Sequence, residues 1–359
     1  MAKIIYGVAG EGFGHSSRSQ LIGQRLIDSG HDVLFAGSRK SLLYLNQYFG
    51  SRVHEVHGLS FAYKGGAVRP VRTFFGNLSR LPAANRTNRK LFEEHYEPFN
   101  PDLVISDFEP FTAWWAWRKK IPFISIDHEH FLTHCKLEHK LSDSFSRLTA
   151  TAVSRLYYFG AASYIIINFF KTPLKSNRAA LAPPIVRPEV TALTPEQGSH
   201  ILLYSTSADR LEELTALLAS FENYEFRIYG FDIEESRGNC TFKKRSTEGF
   251  LADLASSRGI IASAGFSLIS ECLYFRKPMC LLPVAGQYEQ IINTHYIEKL
   301  GLGVGSDKLD AETIARFLDK TEAPTSTHPD ILWPDNEVFF RILQTELNKL
   351  PNPISITVK

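Results

Sequence analysis

One stretch of the chain, residues 259–305, has the residue types and spacing of a diphosphate site. Gly265 follows a short apolar run that ends at Ala262, and Glu271 lies six residues after the glycine. An apolar run, a small-residue turn and a helical pattern predict a strand, a turn and a helix. Because a helix N-terminus favours anions, we expect the amides from Gly265 onward to bind a diphosphate. The carboxylate of Glu271 could then accept hydrogen bonds from a ribose.

A histidine at the end of a glycine-rich turn is the second chemical candidate. The turn Gly10–His15 follows the apolar run Lys3–Val8 and precedes a helix that we predict from Ser17 to Ser29. A histidine titrates near neutral pH, so a ring at the mouth of this loop could take a proton from a hydroxyl. A lone loop histidine is also commonly structural, so this role depends on the surrounding residues.

Two carboxylates could share a cleft with that histidine. Asp107 ends a predicted buried strand, residues 103–106, and Glu109 lies two residues further on. In doubly wound α/β domains ligands bind outside the carboxyl ends of the strands, which would bring Asp107 and His15 to one edge. An aspartate at a strand end is also commonly a helix cap. A dinucleotide site is disfavoured, because His15 stands where G-x-G-x-x-G needs its last glycine.

The stretch described first has further notable positions. A proline-bounded strand and an acid-Gln-x-x-Asn group follow its helix, at Pro278, Pro283 and Glu289–Asn293. Together these residues resemble the nucleotide-sugar signature of GT-B glycosyltransferases, the group of the UDP-glycosyltransferases and the MurG-type N-acetylglucosaminyltransferase. The glycine-rich turn that ends in Gly-His resembles the first loop of the same enzymes, in particular of a bacterial and archaeal branch of uncharacterised or cell-envelope glycosyltransferases. Ser263 departs from the plant signature, which has a histidine at that position.

The resemblance implies an α/β GT-B fold, with two Rossmann-like doubly wound domains facing a cleft. We expect an acceptor-binding domain over residues 1–190, a nucleotide-sugar-binding domain over 191–335 and a helix over 336–350 that crosses back. The implied reaction moves a sugar from a nucleoside-diphosphate sugar, expected to be a UDP-sugar, to an acceptor hydroxyl with inversion. His15 would be the general base, with Asp107 orienting it and stabilising its protonated form. No metal and no cofactor beyond the nucleotide-sugar co-substrate are implied.

The same resemblance implies two sets of binding residues. The donor set is Ser207, Arg210, Arg245, Ser263, Gly265, Phe266, Ser267, Glu271, Glu289, Gln290 and Asn293. The acceptor set is Gly12, Gly14, Glu109, His128 and His130. The last two belong to the run Asp127–His130, which has the composition of a metal site. Adjacent side chains after a strand alternate in direction and do not converge easily on one ion, so we expect these histidines to line the acceptor side.

One segment, residues 61–90, is strongly basic and contains no acid. Its basic residues, which alternate with aromatic ones, are Lys64, Arg69, Arg72, Arg80, Arg86, Arg89 and Lys90. Such a face suits a phosphorylated or lipid-linked acceptor, or the anionic surface of a membrane. The alternative is a solvated face that is balanced by Glu93, Glu94 and Glu97. Sugar and small-molecule acceptors stay open, and nucleic acid is not expected because no known binding module is recognisable.

The composition is that of a soluble globular protein. The chain has 359 residues, of which 44% are hydrophobic and 22% are charged, and this length allows two domains. Its four cysteines have no C-x-x-C spacing, so we expect reduced thiols and no metal site. The apolar runs are too short to span a bilayer and the first residues already predict a strand. We therefore expect a cytosolic protein that could touch the inner face of the membrane.

Three other functions fit parts of the sequence. A non-hydrolysing UDP-sugar 2-epimerase shares the architecture and would turn over UDP-N-acetylglucosamine without an acceptor. A non-catalytic nucleotide-sugar-binding protein would bind the donor with or without His15 and form no product. An oxidoreductase would need NAD(P), which the altered glycine motif disfavours.

Overall fold

The computed structural model describes residues 1–10, 12–58, 63–64, 67–68, 70–138, 144–157, 160–205 and 211–358, with side chains apart from those of 63–80, 145 and 156–157. The chain divides into two compact units. Unit 1 comprises Met1–Arg187 and Asp335–Lys359, and unit 2 comprises Pro188–Pro334. For comparison, the sequence prediction placed the divisions at residues 190 and 335. The C-terminal segment is part of unit 1.

Unit 1 is built on a parallel sheet. Its strands are β1 (Lys3–Val8), β2 (Asp32–Gly37), β3 (Val53–Glu55), β4 (Tyr63–Lys64), β5 (Ala67–Val68), β6 (Leu103–Asp107), β7 (Phe123–Asp127), β8 (Ser163–Ile167) and β9 (Ala179–Ala182). Within the described residues, seven strands form a sheet in the order β3-β2-β1-β6-β7-β8-β9, and β4 and β5 form a separate pair. The strands β6, β7 and β8 are buried along their whole length, which is typical of apolar strands covered on both faces.

The helices of unit 1 connect these strands. They are α1 (Phe13–Asp28), α2 (Arg39–Phe49), α3 (Pro70–Leu91), α4 (Glu97–Phe99), α5 (Pro110–Lys119), α6 (Phe131–His134), α7 (Ser144–Tyr157) and the last helix of the chain, α14 (Asn336–Leu347). A π-helical segment, Phe92–Tyr96, joins α3 to α4, and a 3₁₀ turn, Gly50–Arg52, follows α2. Alternation of strands and helices is the doubly wound pattern that the sequence predicts.

The central strand β1 positions the candidate residues of unit 1. It lies between β2 and β6, and its last residue, Val8, is in register with Gly37 and Asp107. The helix that follows begins at Phe13, four residues before the predicted start at Ser17. Gly12 precedes it with a φ of 82°, a left-handed conformation that glycine adopts without strain. The turn is therefore shorter than predicted, and His15 lies in the first turn of a helix.

Unit 2 repeats the architecture. Its strands are β10 (Ile201–Tyr204), β11 (Phe226–Tyr229), β12 (Glu235–Arg237), β13 (Cys240–Lys243), β14 (Gly259–Ala262), β15 (Met279–Leu281) and β16 (Gly303–Gly305). Among the described residues the sheet order is β12-β13-β11-β10-β14-β15-β16. Of the pairings between these described strands, only that of β12 with β13 is antiparallel. The predicted doubly wound α/β fold is confirmed in both units.

The helices of unit 2 close its core. They are α8 (Pro188–Thr191), α9 (Leu211–Ala219), α10 (Thr247–Ala255), α11 (Phe266–Tyr274), α12 (Tyr288–Lys299) and α13 (Ala311–Glu322). Leu214 and Leu218 of α9 and Phe317 of α13 pack with buried strand residues such as Phe226 and Ile261. Among the described residues of the whole chain, no helix has both the length and the apolar character needed to cross a membrane.

Candidate active site

Unit 1 brings His15 and Asp107 into contact at the carboxyl edge of its sheet. Asp107 is the last residue of β6 and lies beside the end of β1, and His15 belongs to α1, which follows β1. Nδ1 of His15 lies 2.7 Å from Oδ1 of Asp107. The pair that the sequence predicts is therefore formed, from a helical histidine instead of a loop histidine.

The carboxylate of Asp107 is fully buried and is held by the next residues of α1. Arg18 donates from Nε to Oδ2 at 2.6 Å and from Nη2 to Oδ1 at 2.5 Å. The hydroxyl of Ser19 donates to Oδ2 at 3.0 Å. Residues three and four positions apart share a helix face, so α1 presents His15, Arg18 and Ser19 together. These partners compensate the loss of hydration that a buried charge suffers.

A second carboxylate, which sequence reasoning missed, lies on the other side of the histidine ring. Glu129 follows the end of β7, and its Oε1 is 3.2 Å from Nε2 of His15. Its Oε2 lies 3.7 Å from Nη2 of Arg18. The sequence contained one indication of this contact, because Glu129 follows the end of the strand next to β6.

The two carboxylates decide the charge of His15. Burial acts to lower the pKa of His15, but the charges of Glu129 and Asp107 outweigh burial and the Arg18 charge, and raise that pKa to about 10. Burial likewise acts to raise the pKa of Glu129, but His15 and Arg18 outweigh it and hold that pKa far below its usual range. A ring with a carboxylate at each nitrogen is an imidazolium. In this arrangement Nε2 can accept a proton only after it has separated from Glu129 and lost the proton that it carries.

The predicted acceptor residues near this pair have different positions. Gly12 is the N-cap of α1 and Gly14 lies in its first turn next to His15, and their acceptor role stays a prediction. Glu109 is buried, and its carboxylate caps α5 by accepting hydrogen bonds from the amides of Phe111 at 2.9 Å and Thr112 at 2.8 Å. The acceptor role predicted for Glu109 is therefore not supported, because its oxygens satisfy the helix N-terminus. Glu109 also does not replace Asp107 as the partner of His15.

The predicted roles of His128 and His130 need correction as well. His128 is 0% exposed and donates from Nδ1 to the carbonyl of Ile167 at 2.8 Å. His130 is 1% exposed and donates from Nδ1 to Oδ2 of Asp127 at 2.6 Å. Both rings are thus packed inside the protein and do not line an open surface. In the described part of the chain, no group of three or more His, Cys, Asp or Glu side chains could hold a metal ion.

In unit 2, Gly265 directly precedes the first turn of α11. It is the N-cap residue, and no side chain caps the helix there. A Cβ added to Gly265 would meet nothing within 4 Å, so the space beside the first amides is open. The side-chain amide of Asn293 donates to the carbonyl of Ala264 at 3.2 Å and ties α12 to this turn. The turn is thus fixed by the protein and accessible from outside, as an anion site requires.

The remaining predicted donor residues, on α11 or just before it, differ in burial. Phe266 is buried, so only its backbone amide could reach a ligand. Ser263, Ser267 and Glu271 are partly exposed, before the helix, in its first turn and in its second turn. The donor contacts predicted for these residues stay a prediction.

The polar residues of α12 have structural partners. Gln290 accepts a hydrogen bond from the amide of Val284 at 2.9 Å and donates to the side chain of Gln287 at 2.7 Å. Asn293 is completely buried and lies 3.5 Å from Oε1 of Glu289. Gln290 and Asn293 therefore shape the loop before α12 and the turn before α11, and the sugar contacts predicted for these two residues stay a prediction. Glu289 is partly exposed.

Three other predicted donor residues lie apart from this turn or outside the described residues. Arg245 is exposed in the connection from β13 to α10. In the sheet order, β11 and β10 separate β13 from β14. Ser207 and Arg210 lie outside the described residues, as does part of the basic segment 61–90. In its described part, Arg89 pairs with Glu93 at 2.7 Å and Lys90 with Glu94 at 3.7 Å, which favours the balanced, solvated alternative there.

Solved structures define the class of this fold. The glycotransferase of kitacinnamycin matches with a TM-score of 0.66 and 14% identity, covering 90% of this chain and 91% of that chain. CalG4, the calicheamicin glycosyltransferase, matches with a TM-score of 0.62 and 16% identity, covering 96% and 93%. At such identities the likeness shows the fold. The fold is that of the GT-B glycosyltransferases.

The family follows from the sequence match. The family model of glycosyl transferase family 1 matches residues 2–322, and the chain belongs to that family. An uncharacterised glycosyltransferase of Methanosarcina acetivorans is 25% identical over 329 residues, which cover 84% of this chain and 84% of that protein. The predicted GT-B glycosyltransferase is therefore confirmed at this level.

Proposed function

We propose that this glycosyltransferase moves a sugar from a nucleoside-diphosphate sugar, with a UDP-sugar as the first candidate, to an acceptor hydroxyl. Unit 2 binds the donor and unit 1 binds the acceptor. The observation that carries the proposal is the 2.7 Å contact of His15 with Asp107 at the carboxyl edge of the unit 1 sheet. Two solved neighbours support a nucleotide donor, because VinC is in complex with dTDP and LpCGTa with UDP. The choice between uracil and thymine is left to experiment.

The donor is held at the start of α11. Its diphosphate accepts hydrogen bonds from the amides that follow Gly265, where no side chain caps the helix. The helix dipole stabilises negative charge at this end and stabilises the leaving diphosphate as its bond to the sugar breaks. Glu271, one turn further on, accepts hydrogen bonds from the ribose. This fixed backbone charge replaces a metal ion, so transfer proceeds without one.

The acceptor reacts at His15. With Nδ1–H donating to Asp107, the neutral ring presents the lone pair of Nε2 to the acceptor hydroxyl. Nε2 takes the hydroxyl proton while the hydroxyl oxygen bonds to the anomeric carbon. The bond from that carbon to the diphosphate oxygen breaks on the opposite face, so the configuration inverts. Asp107 stabilises the imidazolium that results.

The first test separates transfer from its alternatives. The wild-type protein is incubated without added metal and with EDTA, with UDP-glucose, UDP-N-acetylglucosamine or dTDP-glucose, and with sugar, lipid-phosphate or small aromatic acceptors. We expect a glycosylated product, seen by mass spectrometry, only when donor and acceptor are both present. NMR of the product should show the anomeric configuration opposite to that of the donor.

Each other outcome contradicts a defined part of the proposal. A product with the donor's configuration excludes single-step inversion. Turnover of UDP-N-acetylglucosamine without an acceptor indicates an epimerase. Binding of a donor by calorimetry, with no product from any acceptor in the panel, indicates a binding protein. Loss of all transfer with EDTA, restored by Mg²⁺, contradicts the metal-independent step.

A further inference from the structure

We propose that Glu129 is a positioning residue for His15. Its carboxylate occupies Nε2 in the free protein, an acceptor hydroxyl replaces it there, and Glu129 thereby sets the pH range in which His15 accepts a proton. This inference rests on the proposed function, because it concerns the nitrogen that takes the acceptor's proton. As the hydroxyl enters, the Nε2 proton passes to bulk water, and the hydroxyl proton then takes its place during transfer.

The two carboxylates around His15 are anchored very differently. Asp107 is completely buried and accepts hydrogen bonds from Arg18 and Ser19 in addition to its contact with Nδ1. Glu129 reaches Nε2 with Oε1 at 3.2 Å. Its Oε2 is buried and has no hydrogen-bond partner among the described residues. Asp107 therefore stays in place, and Glu129 is the carboxylate that can leave.

The unpartnered Oε2 also favours exchange. A buried carboxylate oxygen without a hydrogen bond is destabilising, and the 3.7 Å distance to Nη2 of Arg18 gives attraction without a hydrogen bond. Once Oε1 leaves the ring, water or another hydroxyl of the acceptor can donate to this carboxylate, and the reacting hydroxyl keeps its proton for Nε2. The free protein thus has a charged Glu129–His15 pair that a neutral, hydrogen-bonding acceptor can replace.

The effect of Glu129 on His15 is set by all charges that face the ring. Arg18 from α1, Asp107 from β6 and Glu129 after β7 act on it directly, and Asp127 acts on Arg18 and His128 on Glu129. With the pKa of His15 raised to about 10, about one ring in a thousand is neutral at pH 7. Removing one opposite charge at a distance such as the 3.2 Å between Glu129 and His15 changes a pKa by about 1–3 pH units. Glu129→Gln should therefore raise the neutral fraction at pH 7 about 10- to 500-fold.

The first measurement does not depend on activity. Long-range ¹H–¹⁵N spectra of the full ¹⁵N-labelled chain follow the histidine rings from pH 5 to pH 11, and His15→Gln identifies the His15 signals. The titration midpoint of His15 should fall by one pH unit or more in Glu129→Gln. It should stay at the wild-type value in Glu93→Gln, which alters an exposed ion pair. Equal midpoints in wild type and Glu129→Gln would overturn the proposal.

A second variant covers the case in which Glu129→Gln does not fold. Glu129→Asp keeps the charge and withdraws it by one methylene, so its His15 midpoint should lie below that of wild type. If Glu129→Asp is folded and its His15 midpoint equals that of wild type, the contact between Glu129 and Nε2 of His15 does not exist in solution.

The second measurement is the pH profile of kcat/KM with the best donor and acceptor found. The acid limb of the wild-type profile should move to lower pH in Glu129→Gln and stay in place in Glu93→Gln. A slower Glu129→Gln enzyme with an unmoved acid limb would show a merely structural residue and refute the proposal. If the wild-type protein transfers no sugar, both the proposed function and the replacement of Glu129 by an acceptor at Nε2 are refuted. Transfer with an unmoved His15 midpoint refutes the role of Glu129 alone.

Discussion

Replacing Asp107 by asparagine should destabilise unit 1 strongly. The carboxylate is completely buried, and Arg18, whose side chain is 7% exposed, donates to both of its oxygens. Removing one partner of a buried ion pair costs about 3–5 kcal/mol, because the other charge is left without compensation. Glu129 remains 3.7 Å from Arg18, so we expect the lower end, about 3 kcal/mol. For a domain of this size, about 2–4 °C is lost per kcal/mol, which predicts a melting temperature about 6–12 °C lower.

Thermal unfolding by calorimetry measures this loss directly, with two further variants for comparison. Asp32→Asn removes the exposed ion pair with Arg52, whose side chain is 43% exposed, and should cost no more than about 1 kcal/mol. Arg18→Met combined with Asp107→Asn should be less destabilising than the sum of the two single changes, because the orphaned charge is gone. A change below about 2 °C for Asp107→Asn, equal to that of Asp32→Asn, would refute the buried pair.

Three further predictions concern unit 2 and pH. Gly265→Ala should change the melting temperature by no more than about 3 °C, because the added Cβ meets no protein atom within 4 Å. The same variant should bind UDP more weakly in calorimetry. An unchanged UDP affinity would contradict the placement of the diphosphate at this turn. Glu271→Ala should weaken UDP binding at least about tenfold, or about 1.4 kcal/mol, through the lost ribose contacts; equal affinity would contradict that role. The raised pKa of His15 means that the folded state binds the proton more tightly. The stability advantage of wild type over His15→Gln should therefore be complete below about pH 6.5 and decline toward pH 10 in denaturant titrations. An advantage that grows with pH would contradict the charge assigned to His15.

Much of the site could be predicted because strands, turns and the spacing of residues can be recognised from short stretches of the sequence. Asp107 ends a buried apolar run, and parallel strands bring such ends to one edge, so its meeting with His15 followed from the fold. The position of Gly265 before a helix followed from the small residues between an apolar run and a helical pattern. These predictions needed no knowledge of the direction of any single side chain.

The errors come from side-chain directions in the connections between elements. The start of α1 depends on the left-handed φ of Gly12, which moves His15 into a helix. After β7, the backbone amide of His130 donates to the carboxylate of Asp127 and forms a local turn. In this turn the side chains of His128 and His130 are buried, and the side chain of Glu129 contacts His15. Glutamate is not a preferred N-cap, so the capping of α5 by Glu109 could not be expected from its residue type.

The central claim is that His15 takes the acceptor's proton, and one comparison tests it most directly. Rates of transfer and donor affinities are measured side by side for wild type, His15→Gln and Glu93→Gln, with the donor and acceptor that give product. General-base catalysis contributes about 10²–10⁴-fold, so His15→Gln should lose at least about a hundredfold in kcat while its UDP affinity stays equal to that of wild type. A His15→Gln protein that transfers sugar at the wild-type rate would contradict the account.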